Sequence, residues 1–189
     1  ALAAEYDVGA RTLGGRRHVT AQRLLASAVL SRGRTALSAT YAALFEDYVQ
    51  EYGAYSGVTH RAELRLSLLL GPATRATLVY GAARDLADAA ELSFVEHGPR
   101  AELLLALGAR TRLGLEAGAS FRTYDESDPA FGVLLDDVYL DAAVFGEVDL
   151  GTHLSARLAL QARRARSTVD ALEYEKLVPF VGLLWVTGL

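Results

Sequence analysis

Apolar and polar side chains alternate along most of this chain with a period of two residues. The clearest stretch begins at Val58, where the even positions are apolar apart from His60 and the odd positions through Ser67 are polar or charged. A period of two is the spacing of a β-strand, whose successive side chains point to opposite faces. The alternation resumes after a Gly71-Pro72 turn, so residues 58–86 are predicted to form a β-hairpin.

The same alternation recurs along the chain and predicts about ten strands, with twelve as the upper alternative. Residues 18–46 also fit a helical stripe, because Leu37, Tyr41 and Leu44 lie at helical spacing, so helix stays open there. The predicted strands lie within 2–13, 18–31, 34–46, 58–70, 74–86, 100–109, 112–124, 134–149, 153–163 and 171–187.

Residues 87–99 interrupt the pattern. The apolar positions are even-numbered through Phe94 but odd-numbered from Ala101 onward, which indicates a one-residue phase slip at Gly98-Pro99. A slip of one residue moves side chains to the opposite face, as a β-bulge or a break in pairing would. We therefore predict a long loop over 87–99, which can carry extensions of the neighbouring strands.

The predicted connections alternate in length. Short turns follow the even strands, and longer segments follow most of the odd ones (47–57, 87–99, 125–133 and 164–170). An even strand count with alternating short turns and long loops is typical of a transmembrane barrel. The sequence thus predicts an all-β fold, a closed antiparallel up-and-down transmembrane barrel, with residues 1–189 as a single domain.

Composition narrows the classes of protein. The chain is 51% hydrophobic, yet it has no uninterrupted apolar run of the roughly 20 residues that a transmembrane helix needs. A net charge of −4 argues against a nucleic-acid partner. Cysteine is absent, so neither disulfides nor thiol chemistry is expected. Methionine is absent even at position 1, which suggests a processed chain or a domain excised from a larger one.

The polar parity indicates which face would line the interior. It carries arginines and carboxylates in nearly equal numbers among small residues, whereas Lys176 is the one lysine of the chain. Paired arginine and carboxylate groups can fill a confined interior, while leucines on the other parity would face lipid. The predicted lumen charge network comprises Arg61, Glu63, Arg65, Arg112, Glu116, Arg122, Asp137, Asp141, Glu147, Arg157 and Arg163.

Aromatic residues gather near predicted strand ends and suggest interfacial girdles. They are Phe45, Tyr48, Tyr52 and Tyr55 around one loop, and Phe121, Tyr124 and Phe131 around another. With these features the whole chain resembles bacterial outer-membrane β-barrels as a class.

That resemblance implies a location in the bacterial outer membrane, with the lipid bilayer and the outer-membrane assembly machinery as partners. The implied role is a membrane anchor or a narrow or plugged pore. The chain could act alone or as the barrel domain of a larger export or surface protein, whose other domains or subunits would then be partners. Neither a cofactor nor a metal is expected, since His18, His60 and His97 lack metal-ligand spacing.

Two other functions stay open. His153-Leu154-Ser155 resembles the His-x-Ser pair of barrel lipid hydrolases, in which a histidine activates a serine for acyl transfer. A three-residue motif recurs often by chance, so a non-enzymatic barrel is favoured. A soluble lipocalin-like barrel holding an apolar ligand would show the same alternation.

Overall fold

The computed structural model describes residues 1–13, 16–151 and 154–185. Ten strands form one sheet in which each strand pairs antiparallel with the next, in the order of the chain. The predicted ten-strand up-and-down meander is therefore confirmed. The strands are β1 (Leu2–Leu13), β2 (Arg16–Arg32), β3 (Thr35–Tyr48), β4 (Gly57–Leu69), β5 (Thr74–Ala87), β6 (Phe94–Ala106), β7 (Thr111–Ser127), β8 (Leu134–Asp149), β9 (Leu154–Ser167) and β10 (Tyr174–Trp185).

The stretch for which helix stayed open, 18–46, falls within β2 and β3. These strands pair without interruption from Val19 opposite Tyr48 to Arg32 opposite Thr35. Alternate residues of β3 differ regularly in exposure, as expected when one face of a strand is covered and the other is open. Pairing on both sides satisfies the backbone groups that a helix would have satisfied internally.

Of the predicted long loop over 87–99, residues 88–93 lie between β5 and β6, and the rest is strand, as the expected strand extensions allowed. Strand β6 begins at Phe94 and pairs with β5 in unbroken register through Gly98 and Pro99. Pairing with β7 has a gap at the same two residues, because proline lacks the N–H that a ladder bond requires. Phe94 belongs to the same face as Glu96, so there is no phase slip. The sequence pattern suggested a slip because Phe94 is a large apolar residue on the otherwise polar face.

Short and longer connections alternate as expected. Those after β3, β5 and β9 each contain a 3-10 turn, at Gln50–Tyr55, Ala90–Leu92 and Asp170–Leu172. The first two turns share one side-chain hydrogen bond. In each, the hydroxyl oxygen of a buried serine that follows the turn accepts a hydrogen bond from the backbone N–H of the last residue of the preceding strand. Ser56 Oγ accepts from Tyr48 N at 3.0 Å, and Ser93 Oγ accepts from Ala87 N at 2.9 Å. Among the residues described, no helix is long and apolar enough to cross a membrane.

The strands are staggered along the sheet. One row of register partners starts at Leu30, two positions from the end of β2 at Arg32, and reaches Leu177, eight positions from the end of β10 at Trp185. The partners between them are Leu37, Leu66, Leu78, Ala101, Ala117, Ala142 and Ala162. The row thus moves steadily from the edge with short turns toward the edge with longer loops. A sheet that closes into a barrel requires such a stagger.

Candidate functional site

The two faces of the sheet differ in chemistry and in shape. We call the face that carries Glu63 and Arg65 the inner face, and the face that carries Leu64 the outer face. A cavity of about 940 Å³ on the inner face is lined by residues of every strand from β4 to β10. Side chains from strands that are not adjacent meet there, which indicates that the inner face is concave.

Four charged residues on the inner face form a closed ring of alternating sign. Arg65 of β4 contacts Glu63 at 3.1 Å and Glu102 of β6 at 3.4 Å. Arg100 of β6 contacts the same two carboxylates, at 3.4 and 3.2 Å. The ring lies over β5, whose Val79 is the register partner of both arginines and is only 5% exposed. Each charge therefore has two partners of opposite sign.

A second cluster lies near the loop edge. The guanidinium of Arg122 binds the Glu96 carboxylate through two donors, one of them at 2.8 Å. Its Cζ lies 4.1 Å from the centre of the Phe94 ring and 5.3 Å from that of Tyr139. Tyr139 donates its hydroxyl to Asp137 Oδ2 at 2.9 Å, whereas the buried Asp137 Oδ1 has no hydrogen-bond partner among the described residues.

The opposite edge holds a third cluster. Arg112 contacts Asp149 at 2.6 Å and Glu147 at 3.4 Å. Arg157 reaches over β8 to Glu116 at 3.8 Å, and its guanidinium stacks 3.9 Å from the centre of the Phe145 ring. That ring covers Gly114, its register partner, and a Cβ at position 114 would overlap it. Glycine is therefore needed where an aromatic ring lies on the neighbouring strand.

All eleven residues predicted for the lumen network lie on the inner face. Nine of them form ion pairs, including Asp141 with Arg163 (3.0 Å between Arg163 Nη2 and Asp141 Oδ2). Within the described chain, Asp137 has no cationic partner and Arg61 forms no ion pair. The predicted network omitted Arg100, Glu102 and Asp149, although all three lie on the predicted polar parity, and it missed Glu96 because it placed that residue in a loop. Continuous alternation from Phe94 to Ala106 would have identified it.

The outer face is apolar and open. Leu78, Leu115 and Leu158 are 56%, 53% and 63% exposed, and many other large apolar residues are exposed with them. On β8 the outer positions from Val138 to Val148 include no charged residue. The charged outer residues on β5, β7, β9 and β10 lie toward the loop edge, where Arg84 binds Asp125 through two hydrogen bonds of 2.6 and 2.5 Å.

Three tyrosines on the outer face hydrogen-bond diagonally to the next strand. The pairs are Tyr6 with Gln22 (3.3 Å), Tyr41 with His60 (2.7 Å) and Tyr80 with His97 (2.9 Å). Each tyrosine lies seven positions before the last residue of its strand, so the three follow the staggered loop edge.

The predicted aromatic girdles divide between the two faces. Phe121 lies on the outer face with its ring 5.8 Å from His97. Tyr124 instead lies on the inner face, 5.6 Å from Phe94. Phe121 and Tyr124 were grouped because both lie near the same loop in sequence, but the alternation of the strand places them on opposite faces.

The candidate hydrolase pair stays a prediction. Ser155 is buried on the inner face opposite Asp149 in the register. Its predicted partner, His153, lies outside the described residues. Across the described ranges, no group of three or more histidine, aspartate or glutamate side chains could hold a metal ion.

Comparisons with known proteins place the chain in no family. No protein-family model matches it, and neither a curated protein nor a solved structure is significantly similar to it.

Proposed function

We propose that this chain is an integral outer-membrane β-barrel, closed between β1 and β10, which serves as a membrane anchor or a narrow pore. The observation that carries the proposal is the distribution of side chains between the faces. Exposed leucines cover the outer face, while arginines and carboxylates pair with one another on the concave inner face. Hydrocarbon outside and satisfied charge inside is the arrangement that a bilayer selects.

The energetics favour lipid over water around the outer face. Burial of apolar surface stabilises by about 25 cal/mol per Å², so fully burying one leucine contributes about 1.5–3 kcal/mol. Single exposed leucines are ordinary on a soluble protein, but an apolar face extending over many strands is not. Contact with acyl chains removes this surface from water without any further protein.

The height of the apolar face suits an outer membrane. Ten residue steps separate Val138 from Val148, which is about 33 Å along a strand. Strands tilted by about 40° would give about 25 Å along the barrel axis, close to the apolar band of outer-membrane barrels. The tyrosine pairs and the charged outer residues near the loop edge would then meet the headgroup region.

Closure of the sheet is part of the proposal. Within the described structure β1 pairs with β2 and β10 with β9, so each has an edge whose backbone groups need partners. An unpaired edge in hydrocarbon costs several kcal/mol for each unsatisfied group. The stagger of the strands supports pairing of these two edges with each other, because a barrel closes only with such a shear.

The inner face supports an anchor or a narrow pore rather than a wide channel. The ring formed by Glu63, Arg65, Arg100 and Glu102 joins β4 to β6 and occupies space above β5. Paired charges on strands that are rich in small residues can fill an interior without leaving a strong excess of positive or negative charge. The partners that follow are the lipid bilayer and the outer-membrane assembly machinery, with other domains or subunits if the barrel belongs to a larger protein.

Electrophoresis tests the barrel directly. Protein folded in detergent should stay folded in sodium dodecyl sulfate at room temperature and should migrate differently after boiling. A boiled sample serves as the unfolded control. Equal mobility with and without heating, together with solubility without detergent, would reject the membrane barrel and favour the soluble lipocalin-like alternative.

A further inference from the structure

Two cations that face the inner cavity have no carboxylate partner in the part of the chain that the structure describes. Arg61 of β4 and Lys176 of β10 both line the cavity of about 940 Å³, and neither forms an ion pair with any residue in the described ranges. Each of the carboxylates that line the same cavity does have a cationic partner. These carboxylates are Glu63, Glu96, Glu116 and Asp141, paired with Arg65 and Arg100, with Arg122, with Arg157 and with Arg163, respectively.

The local surroundings explain why these two cations stay unpaired. The register partners of Arg61 are Ala42 and Ala83, which offer no charge, and Asp85, the next inner-face residue of β5, accepts a hydrogen bond from the Thr59 hydroxyl at 2.9 Å instead. Lys176 lies opposite Arg163, whose guanidinium is already bound to Asp141. The ammonium of Lys176 lies 5.4 Å from the centre of the Tyr174 ring, a contact that leaves its full charge available. The cavity lining therefore offers two cations to a ligand and no free carboxylate.

Both cations lie in the half of the sheet nearer the loops. Arg61 is four positions from the start of β4 at Gly57, and Lys176 is two positions from the start of β10 at Tyr174. Both residues are exposed, and both line the cavity. An anion that enters from the loop edge would meet them before it met the ring of Glu63, Arg65, Arg100 and Glu102.

We propose that the loop-side half of the cavity is a binding site for small inorganic anions, held by Arg61 and Lys176. This inference rests on the proposed barrel, because closure brings β10 and β4 to facing walls of one lumen. Guanidinium and ammonium groups act as donors to an anion without any acceptor that would repel it. The cavity is roomy enough for an anion that keeps part of its hydration shell.

Chloride provides the probe. Binding of chloride to a protein broadens its quadrupolar NMR line, and this remains measurable when binding is weak. Folded protein in a nonionic detergent should broaden the line in a saturable way, and R61Q/K176Q should reduce the broadening to that of empty micelles. The charge-preserving R61K/K176R variant should retain most of it.

The matched control removes two positive charges elsewhere. R164Q/R166Q lowers the net charge by the same amount on the outer face of β9 and should leave the broadening unchanged. The heat-dependent gel shift is recorded for every variant, so loss of the fold is separated from loss of the site.

The outcomes are distinct. A barrel with a normal gel shift that never broadens the chloride line, or that broadens it equally after R61Q/K176Q, would overturn the anion site and leave the proposed barrel standing. Equal losses of line broadening in R61Q/K176Q and R164Q/R166Q would also overturn it, since they would show that chloride responds to the net charge of the protein and not to this site. Absence of the gel shift in the unchanged protein would reject the barrel and the site that depends on it.

Discussion

Arg65 on β4 and Glu102 on β6 form an ion pair of 3.4 Å although β5 lies between their strands. Adjacent strands are about 4.8 Å apart, so two strands separated by a third lie nearly 10 Å apart in a flat sheet. Long side chains on the concave face lean toward each other and close that distance over Val79. The charge ring thus binds three strands into one curved unit.

Removal of Arg65 should loosen this unit. In Arg65→Gln, Glu63 and Glu102 keep Arg100 as their one cation, and we expect a loss of about 1–2 kcal/mol, between the values for exposed and buried pairs. Urea unfolding in detergent measures the change. Arg164→Gln is the control, because it breaks an exposed outer-face pair with Glu175 and should cost less than about 0.5 kcal/mol. Similar losses for the two variants would contradict a structural role for the ring.

Phe145 and Gly114 provide a steric test of the inner face. In Gly114→Ala the new methyl group overlaps the Phe145 ring, which must then move from beneath Arg157, and overpacking of this kind costs about 1–3 kcal/mol. Gly81→Ala is the matched control, because a Cβ at that inner-face position meets nothing within 4 Å. Adding Phe145→Leu to Gly114→Ala should recover part of the stability. A Gly114→Ala protein as stable as Gly81→Ala would contradict the observed packing.

A charge placed on the outer face distinguishes lipid from water. Leu115 is 53% exposed, so in water Leu115→Arg should change stability by less than about 0.5 kcal/mol. Against hydrocarbon the same change should cost about 2–4 kcal/mol near the bilayer midplane. Folding into lipid vesicles, followed by urea titration, measures it. Leu115→Ala controls for lost packing, and an arginine variant as stable as the alanine one would argue against a lipid-facing surface.

Disulfide trapping tests the closure of the sheet. Ala4 and Leu183 both occupy outer positions, and if the stagger continues at about one residue per strand they become close partners on β1 and β10. Ala4→Cys with Leu183→Cys, or with Val181→Cys if the shear is smaller, should form an intramolecular disulfide in the folded protein. Ala4→Cys with Leu177→Cys is the control and should not. Cross-linking that occurs only after unfolding would contradict closure.

Strand number and the identity of the two faces could be predicted from the sequence because both depend on local alternation. The period of two from Val58 to Leu70 assigns each side chain to a face without reference to any other strand. The one large error had a local cause: Phe94 is apolar but packs on the charged face, against Arg122 and Tyr124. An aromatic residue that packs against charged side chains lies on the polar face, so dividing a strand into apolar and polar positions assigns it to the wrong face.

The alternation of apolar and polar residues determined the antiparallel ten-strand sheet and the separation of leucines from charges. Only the tertiary structure decided which charges meet. Register and curvature bring Arg65 to Glu102 and Arg157 to Glu116 over intervening strands, and they leave Arg61 and Lys176 unpaired within the described residues. The physical reason is distance along the chain. The face on which a residue lies follows from its immediate neighbours in sequence. These two ion pairs join residues 37 and 41 positions apart, so they depend on how the strands are staggered and how far the sheet curves.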